Sequence, residues 1–161
     1  MCTDLPARVV AVCVSQGGIP KQPVPDAEVT VDGLLGDGQE HEVHHRTDRA
    51  VSLQDLELLE ELKGEGYPVG PGSFGENVTV QGVNVQRLAP GDRLHLDGGP
   101  VLELTVLRTT CSILGQVHPE IPKIADGKCG VLAKVLRTGR VFPGQGIVVE
   151  RAAGKDKPQT E

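Results

Sequence analysis

Short apolar runs broken by Gly and Pro make up most of this chain. Residues 8–14, RVVAVCV, are continuously apolar over a strand's length, which predicts a buried first strand with Cys13 in the core. Residues 15–25 contain Gly17, Gly18, Pro20, Pro23 and Pro25 and read as a loop, followed by a short strand at 28–31. Residues 78–80, 93–96, 101–107, 130–136 and 147–150 are further strand candidates, rich in Val, Leu and Ile. Asp97-Gly98-Gly99 separates two of them as a hairpin, and Ala89-Pro90-Gly91-Asp92 has Pro and Gly where a type II turn needs them. Residues 83–88 form a short apolar segment, 118–122 an irregular stretch with two prolines, and 137–139 a turn.

One stretch has helical period. Leu53, Leu56, Leu59 and Leu62 recur every third residue, Leu58 widens the stripe, and Glu57, Glu60 and Glu61 fill the other face. Ser52, with an acid three residues on at Asp55, predicts the N-cap, and Lys63-Gly64 the C-terminus. Leu88-Ala89-Pro90-Gly91-Asp92 and Val141-Phe142-Pro143-Gly144-Gln145 echo each other as apolar–Pro-Gly–strand corners. Many short strands with such punctuation predict a mainly β fold, barrel-like, with one amphipathic helix and a few short helices. The chain is read as one domain over 1–150 with a flexible tail at 151–161.

Composition narrows the function. With 21 Gly, 12 Pro and no Trp in 161 residues, the chain is turn-rich but below disorder level. A net charge of −6 argues against a nucleic-acid binder and leaves room for a small anionic ligand. No apolar run approaches the ~20 residues of a membrane span, and no signal peptide is visible, so no membrane association and a cytoplasmic, reduced setting are expected.

The chemistry centres on Cys111, at the end of the 101–107 strand in Arg108-Thr109-Thr110-Cys111. A thiolate is the nucleophilic and metal-binding form, and a guanidinium beside it lowers its pKa; the plainer reading is a small buried hydrophobe. Cys129, between Lys128 and Gly130, is the second candidate thiol. His41-Glu42-Val43-His44-His45 matches H-E-x-x-H literally, yet Gly36 and Gly38 precede it and no helical period surrounds it. A zinc hydrolase therefore fits less well than an exposed imidazole loop. Glu76 and Asn77, at a strand start after Gly72-Ser73-Phe74-Gly75, read as a buried pair that bonds an adjoining loop or a heterocycle's edge.

Taken together, Gly36-Asp37 with the histidine-rich loop, 50–53 (AVSL), 72–80 (GSFGENVTV), 90–94 (PGDRL), 102–105 leading to Arg108 and Cys111, and 130–136 with Gly139-Arg140-Val141 resemble the MOSC domain. This module ends molybdenum-cofactor sulfurases and also occurs as small standalone proteins. The resemblance covers about Arg8 to Glu150 and implies a barrel related to that of pyruvate kinase. It implies a molybdopterin-type molybdenum cofactor, with Cys111 as the catalytic residue and metal ligand. It also brings a family-level association with pyridoxal phosphate. Some members are oxidoreductases that reduce N-hydroxylated small molecules by oxygen-atom transfer, with electrons from a separate redox protein; others are proposed to be non-catalytic cofactor-binding modules or to carry sulfur as a persulfide. Arg46, Arg49, Arg108 and Lys134 are the cations available to the cofactor's phosphate, with Glu76 and Asn77 also expected at the cofactor. A homodimer stays open. Many members have His-Gly-Gly where this chain has His44-His45-Arg46, Pro where it has Thr110, and Gly-Asp where it has Gly144-Gln145.

Overall fold

A computed structural model describes residues 7–15, 21–37, 50–108, 118–124 and 128–152. The strands are β1 (Arg8–Val14), β2 (Gln22–Val24), β3 (Ala27–Thr30), β4 (Gly33–Leu34), β5 (Val51–Asp55), β6 (Val78–Gln81), β7 (Arg93–Leu96), β8 (Val101–Leu107), β9 (Val131–Arg137), β10 (Gly139–Val141) and β11 (Ile147–Glu150). Two helices, α1 (Leu56–Gly64) and α2 (Ile121–Ile124), and one 3₁₀ turn, Val85–Arg87, complete the described elements.

One sheet has eight strands in the order β11-β7-β8-β9-β5-β6-β1-β2, and a second has β10-β3-β4. The mainly β expectation holds, but the large sheet is not a closed barrel, because its edge strands β11 and β2 do not pair with each other. A partial closure exists elsewhere. Arg8 bridges Gly146, Val9 N–H donates to Gln145 O (2.9 Å), and Ile147 N–H donates to Ala7 O (3.0 Å). Register shifts along β8–β9 and in β1–β6 supply the curl that brings these residues together.

The hairpin at 97–99 joins β7 to β8 as the sequence predicts. The two Pro-Gly corners share one geometry. Asp92 N–H donates to Ala89 O and Gln145 N–H to Phe142 O, with Gly91 at φ 97° and Gly144 at φ 93°. In each, the last side chain turns back to the first residue. Asp92 Oδ2 accepts from Ala89 N–H (2.8 Å), and Gln145 Oε1 from Phe142 N–H (3.4 Å). Gln145 therefore closes its corner as Asp92 closes the other. Asp92 also takes the Ala152 N–H at 2.9 Å and Arg151 at 3.2 Å, so the chain stays anchored beyond residue 150, where the sequence predicts a tail.

Other expectations shift. Pro23 lies in β2, an edge strand, where a missing N–H costs no ladder bond. The segment 83–88 contributes a 3₁₀ turn, and the 137–139 turn leads directly into β10. Ser52 is not a helix cap. It lies in β5, which is buried at every residue, and Asp55 is the N-cap residue, with no side-chain cap bond. Asp55 instead accepts the Val85 and Gln86 N–H groups at 2.8 and 3.1 Å, capping the 3₁₀ turn. Central placement explains this. β5 pairs antiparallel with β9 and parallel with β6, the latter through the α1 crossover.

Two apolar clusters result. The larger includes Val9, Val12, Leu53, Val78, Leu94, Leu102 and Ala133. The smaller joins Leu59 and Leu62 of α1 to Val69, Phe74, Ile121 and Cys129. Cys129 is thus a fully buried core residue rather than a thiol in an open glycine-flanked loop.

Close backbone approaches fix the glycines between these clusters. A Cβ on Gly130 would lie 2.1 Å from Leu53 O at φ +88°, whereas one on Gly98, at φ +65°, would meet nothing within 4 Å. Gly130→Ala is expected to cost more than about 3 kcal/mol and Gly98→Ala about 1 kcal/mol. Urea unfolding of both variants beside wild type checks the difference; equal costs would refute the close-approach argument.

Candidate functional site

The residues 70–77 fold around the carboxylate of Glu76, which has no solvent exposure. Its Oε2 accepts from Gly72 N–H (2.8 Å) and Thr79 Oγ1–H (2.8 Å), and its Oε1 from Phe74 N–H (3.2 Å). Burial pushes the Glu76 pKa up; the Gly72 N–H, the Thr79 hydroxyl and the Arg108 guanidinium pull against it. Gly72 lies too close to Lys21 O for any Cβ, which would sit 2.2 Å away.

Arg108 leaves β8 beside β9, its N–H donating to Gly130 O at 3.0 Å. Its Nη2 donates to Phe74 O at 2.9 Å. Its Nη1 is buried and has no hydrogen-bond partner among the described residues. A buried donor without a partner loses its water and gains nothing back, typically about 1–3 kcal/mol and more for a charged group.

Asn77 runs a second network from the same loop. Its Oδ1 accepts from Ser52 N–H (3.2 Å), and its Nδ2 donates to Cys13 O (3.3 Å) and Asp37 Oδ2 (3.0 Å). Asp37 Oδ1 in turn accepts from Ser15 N–H (2.9 Å) and Lys21 Nζ (2.7 Å). The Lys21–Asp37 pair is nearly buried, with side chains 12% and 10% exposed. Ser15 and Lys21 flank the segment 16–20, Asp37 precedes 38–49, and Arg108 precedes 109–117. The loop 70–77 therefore holds the described residues bordering all three segments.

Of the sequence-predicted site residues, Glu76, Asn77 and Arg108 meet at this loop. Cys111, Arg46 and Arg49 lie outside the described residues, as does the His41–His45 motif. Lys134 is not brought to the group. Its Nζ pairs with Glu103, 3.6 Å away across β8–β9, and Glu103 also takes Arg93 Nε. Lys134 lies four residues along from Gly130, about 13 Å at strand rise. The sequence reading missed Lys21, a single lysine in a Pro/Gly stretch with no signal of its own. It also missed a Tyr67–Glu120–His118 cluster that packs beside the smaller core.

Among the described residues no group of three or more His, Cys, Asp and Glu side chains could hold a metal ion. No described helix is long and apolar enough to cross a membrane. A cavity of about 390 Å³ lies elsewhere, against Asp55, Glu57 and Arg87, and Asp55 there is already satisfied by backbone donors.

The sequence model of the MOSC domain matches residues 40–148. This chain belongs to the MOSC domain family. A MOSC-type relative, the Bacillus subtilis (strain 168) protein YflK, described as uncharacterized, is 32% identical over 139 residues. That match covers 81% of this chain and 62% of YflK, so the chain spans less than two thirds of the relative. YiiM from Geobacillus stearothermophilus superposes with a TM-score of 0.76 at 27% identity, over 92% of this chain and 78% of its own. The YuaD protein from Bacillus subtilis shares the fold with a TM-score of 0.77 at 20% identity, over 91% and 97% of the two chains. The MOSC domain is known from the C-terminal region of molybdenum cofactor sulfurases.

Two outcomes test the buried groups. Burial, helped by the Glu76 charge and opposed by Lys21, pushes the Cys13 thiol from 9.0 up to about 12. The unfolded chain ionises first, so native stability is unaffected below pH 9 and falls above it, by up to about 1.4 kcal/mol per pH unit. Cys13→Ala should flatten that alkaline slope in pH-dependent urea unfolding; an unchanged slope would contradict the assignment. Glu76→Gln turns an amide donor toward three donors and should cost about 2 kcal/mol or more, read as a lower melting temperature.

Proposed function

We propose that this MOSC domain binds a molybdopterin-type molybdenum cofactor, with Cys111 as the metal's thiolate ligand, and reduces N-hydroxylated small molecules. One observation carries the fit: among the described residues, the buried Nη1 of Arg108 has no hydrogen-bond partner. The cofactor is anionic, and its oxygens are acceptors for such a donor. Arg108 is pre-set for that task because Phe74 O fixes one arm of the guanidinium and Glu76 supplies countercharge. A soft thiolate suits molybdenum, and Arg108 next to the Cys111-bearing segment favours the thiolate over the thiol.

The roles of this chain's residues follow. Arg108 binds an anionic oxygen and orients it. Glu76 and Asn77 hold the loop that positions Arg108 and the bordering residues of the neighbouring segments. Arg46 and Arg49 are further cations for the phosphate. The cofactor, when bound, supplies oxygen-atom transfer from the substrate, with electrons arriving from a separate redox protein. Lys134, engaged by Glu103, is left out of this assignment.

Molybdenum and pterin content of protein purified anaerobically from a cofactor-competent host tests the proposal. Near-stoichiometric metal is expected in wild type, with loss in Cys111→Ser and a drop of about tenfold or more in cofactor affinity in Arg108→Ala. No molybdenum or pterin in the wild type would sink the reading; persulfide on Cys111 in that protein would point to sulfur carriage instead.

A further inference from the structure

β5 ends in two buried polar residues, Gln54 and Asp55, with 0% and 1% exposure. Backbone groups engage both. Gln54 Oε1 accepts the Asp55 N–H at 2.8 Å, and Gln54 Nε2 donates to Lys128 O at 2.8 Å. The Asp55 carboxylate takes the Val85 and Gln86 N–H groups, which fixes where the Gln86 side chain begins. Gln86 then reaches the chain entering β9, where its Oε1 accepts the Gly130 N–H at 2.8 Å. Each amide has one orientation that satisfies these bonds, because a backbone N–H meets only its oxygen and a carbonyl only its nitrogen.

Lys128 and Gly130 are thus held by two side-chain amides at once, one from β5 and one from the 3₁₀ turn. Gly130 is also the backbone support of Arg108: its carbonyl accepts the Arg108 N–H at 3.0 Å. The Gly130 backbone lies against β5, where a Cβ would come within 2.1 Å of Leu53 O. Gln86 and Arg108 are therefore joined through a single residue, one bonded to its N–H and the other to its C=O. At the far end of the side chain, Phe74 O holds Arg108 Nη2. Stability alone does not call for this arrangement. A buried amide trades bonds to water for bonds within the protein at small net gain, and apolar side chains of the same shape can be as stable. What a satisfied polar network adds is a fixed position for its members.

We propose that Gln86 is a positioning residue for Arg108, acting through the Gly130 peptide, with Asp55 holding the turn and Gln54 holding Lys128. This rests on the cofactor reading above, in which Arg108 binds and orients an anionic oxygen. A guanidinium tethered at both its backbone and one nitrogen presents its remaining donors in one direction, and loosening the backbone tether spreads that direction.

Gln86→Met keeps the length of the side chain and removes the acceptor. In metal-free protein, amide hydrogen exchange at Arg108 is expected to speed up about tenfold, the worth of one hydrogen bond, while the β7–β11 ladder keeps its rates. In protein purified anaerobically from a cofactor-competent host, the variant is expected to keep at most about a fifth of the molybdenum that wild type keeps through dialysis. Gly98→Ala, in the hairpin between β7 and β8, controls for lost stability and is expected to keep as much as wild type. Unchanged exchange at Arg108, or an equal molybdenum loss in Gly98→Ala, overturns the inference. Full molybdenum retention in Gln86→Met overturns it while leaving the proposed function intact. Wild type without molybdenum or pterin overturns both. Where Gln86→Met does not fold, wild type decides: the Gly130 and Arg108 amides are expected to show protection factors within about threefold of each other, as members of one opening unit. A freely exchanging Gly130 amide beside a protected Arg108 amide overturns the inference.

Discussion

Glu76 is a carboxylate with no route to water, and the local chain folds to satisfy it. Gly72, Phe74 and Thr79 all donate to it within four residues of sequence. An ionised carboxylate in such surroundings is tolerable only when fully hydrogen-bonded and near a positive charge. That requirement bends 70–77 into a compact loop and aims the Phe74 carbonyl at Arg108. It also turns the Phe74 ring into the smaller core, where Leu59 and Leu62 of α1 pack; Leu53, counted in the predicted helical stripe, lies in β5 and the larger core.

Asn77, the next residue, extends the same loop in the other direction. Its amide joins Ser52 and Cys13, which the β5–β6–β1 pairing brings side by side, and Asp37, which follows β4 of the smaller sheet. A polar network this deeply buried is stable only when every member is satisfied. Among the described residues the one exception is a guanidinium nitrogen of Arg108. Among the described residues, the network thus ends in one unfilled buried donor, at the border of residues 109–117. Placing chemistry on connecting segments anchored to a fixed sheet is a common division of labour. The fold, shared with YuaD at 20% identity, does not by itself select the reaction.

Where the sequence reading expected an Asp, Gln145 makes physical sense. Gln145 keeps the corner that an Asp would make, because its amide oxygen reaches the same backbone N–H while its Nε2 donates to Asp97 O and Arg140 O. The Gln145 side chain thereby ties the β7–β8 turn to β10 of the smaller sheet. His44-His45-Arg46 and Thr110 fall outside the described residues.

The sequence by itself determined whatever depends on near neighbours. The runs at 8–14 and 101–107 became β1 and β8, the Pro-Gly corners formed as type II turns, and the Glu76–Asn77 pair is buried. Each follows from local sterics, a period of two, or bonds spanning a few residues. The tertiary structure alone decided the long-range partners. Asp55 caps a turn thirty residues away rather than its own helix. Ser52 serves a strand, Cys129 fills a core, Lys134 answers to Glu103, and Lys21 finds Asp37. A residue's local pattern fixes what it can offer, a donor, an acceptor or an apolar face. Which group accepts the offer depends on strand order and register, set by the packing of the whole chain.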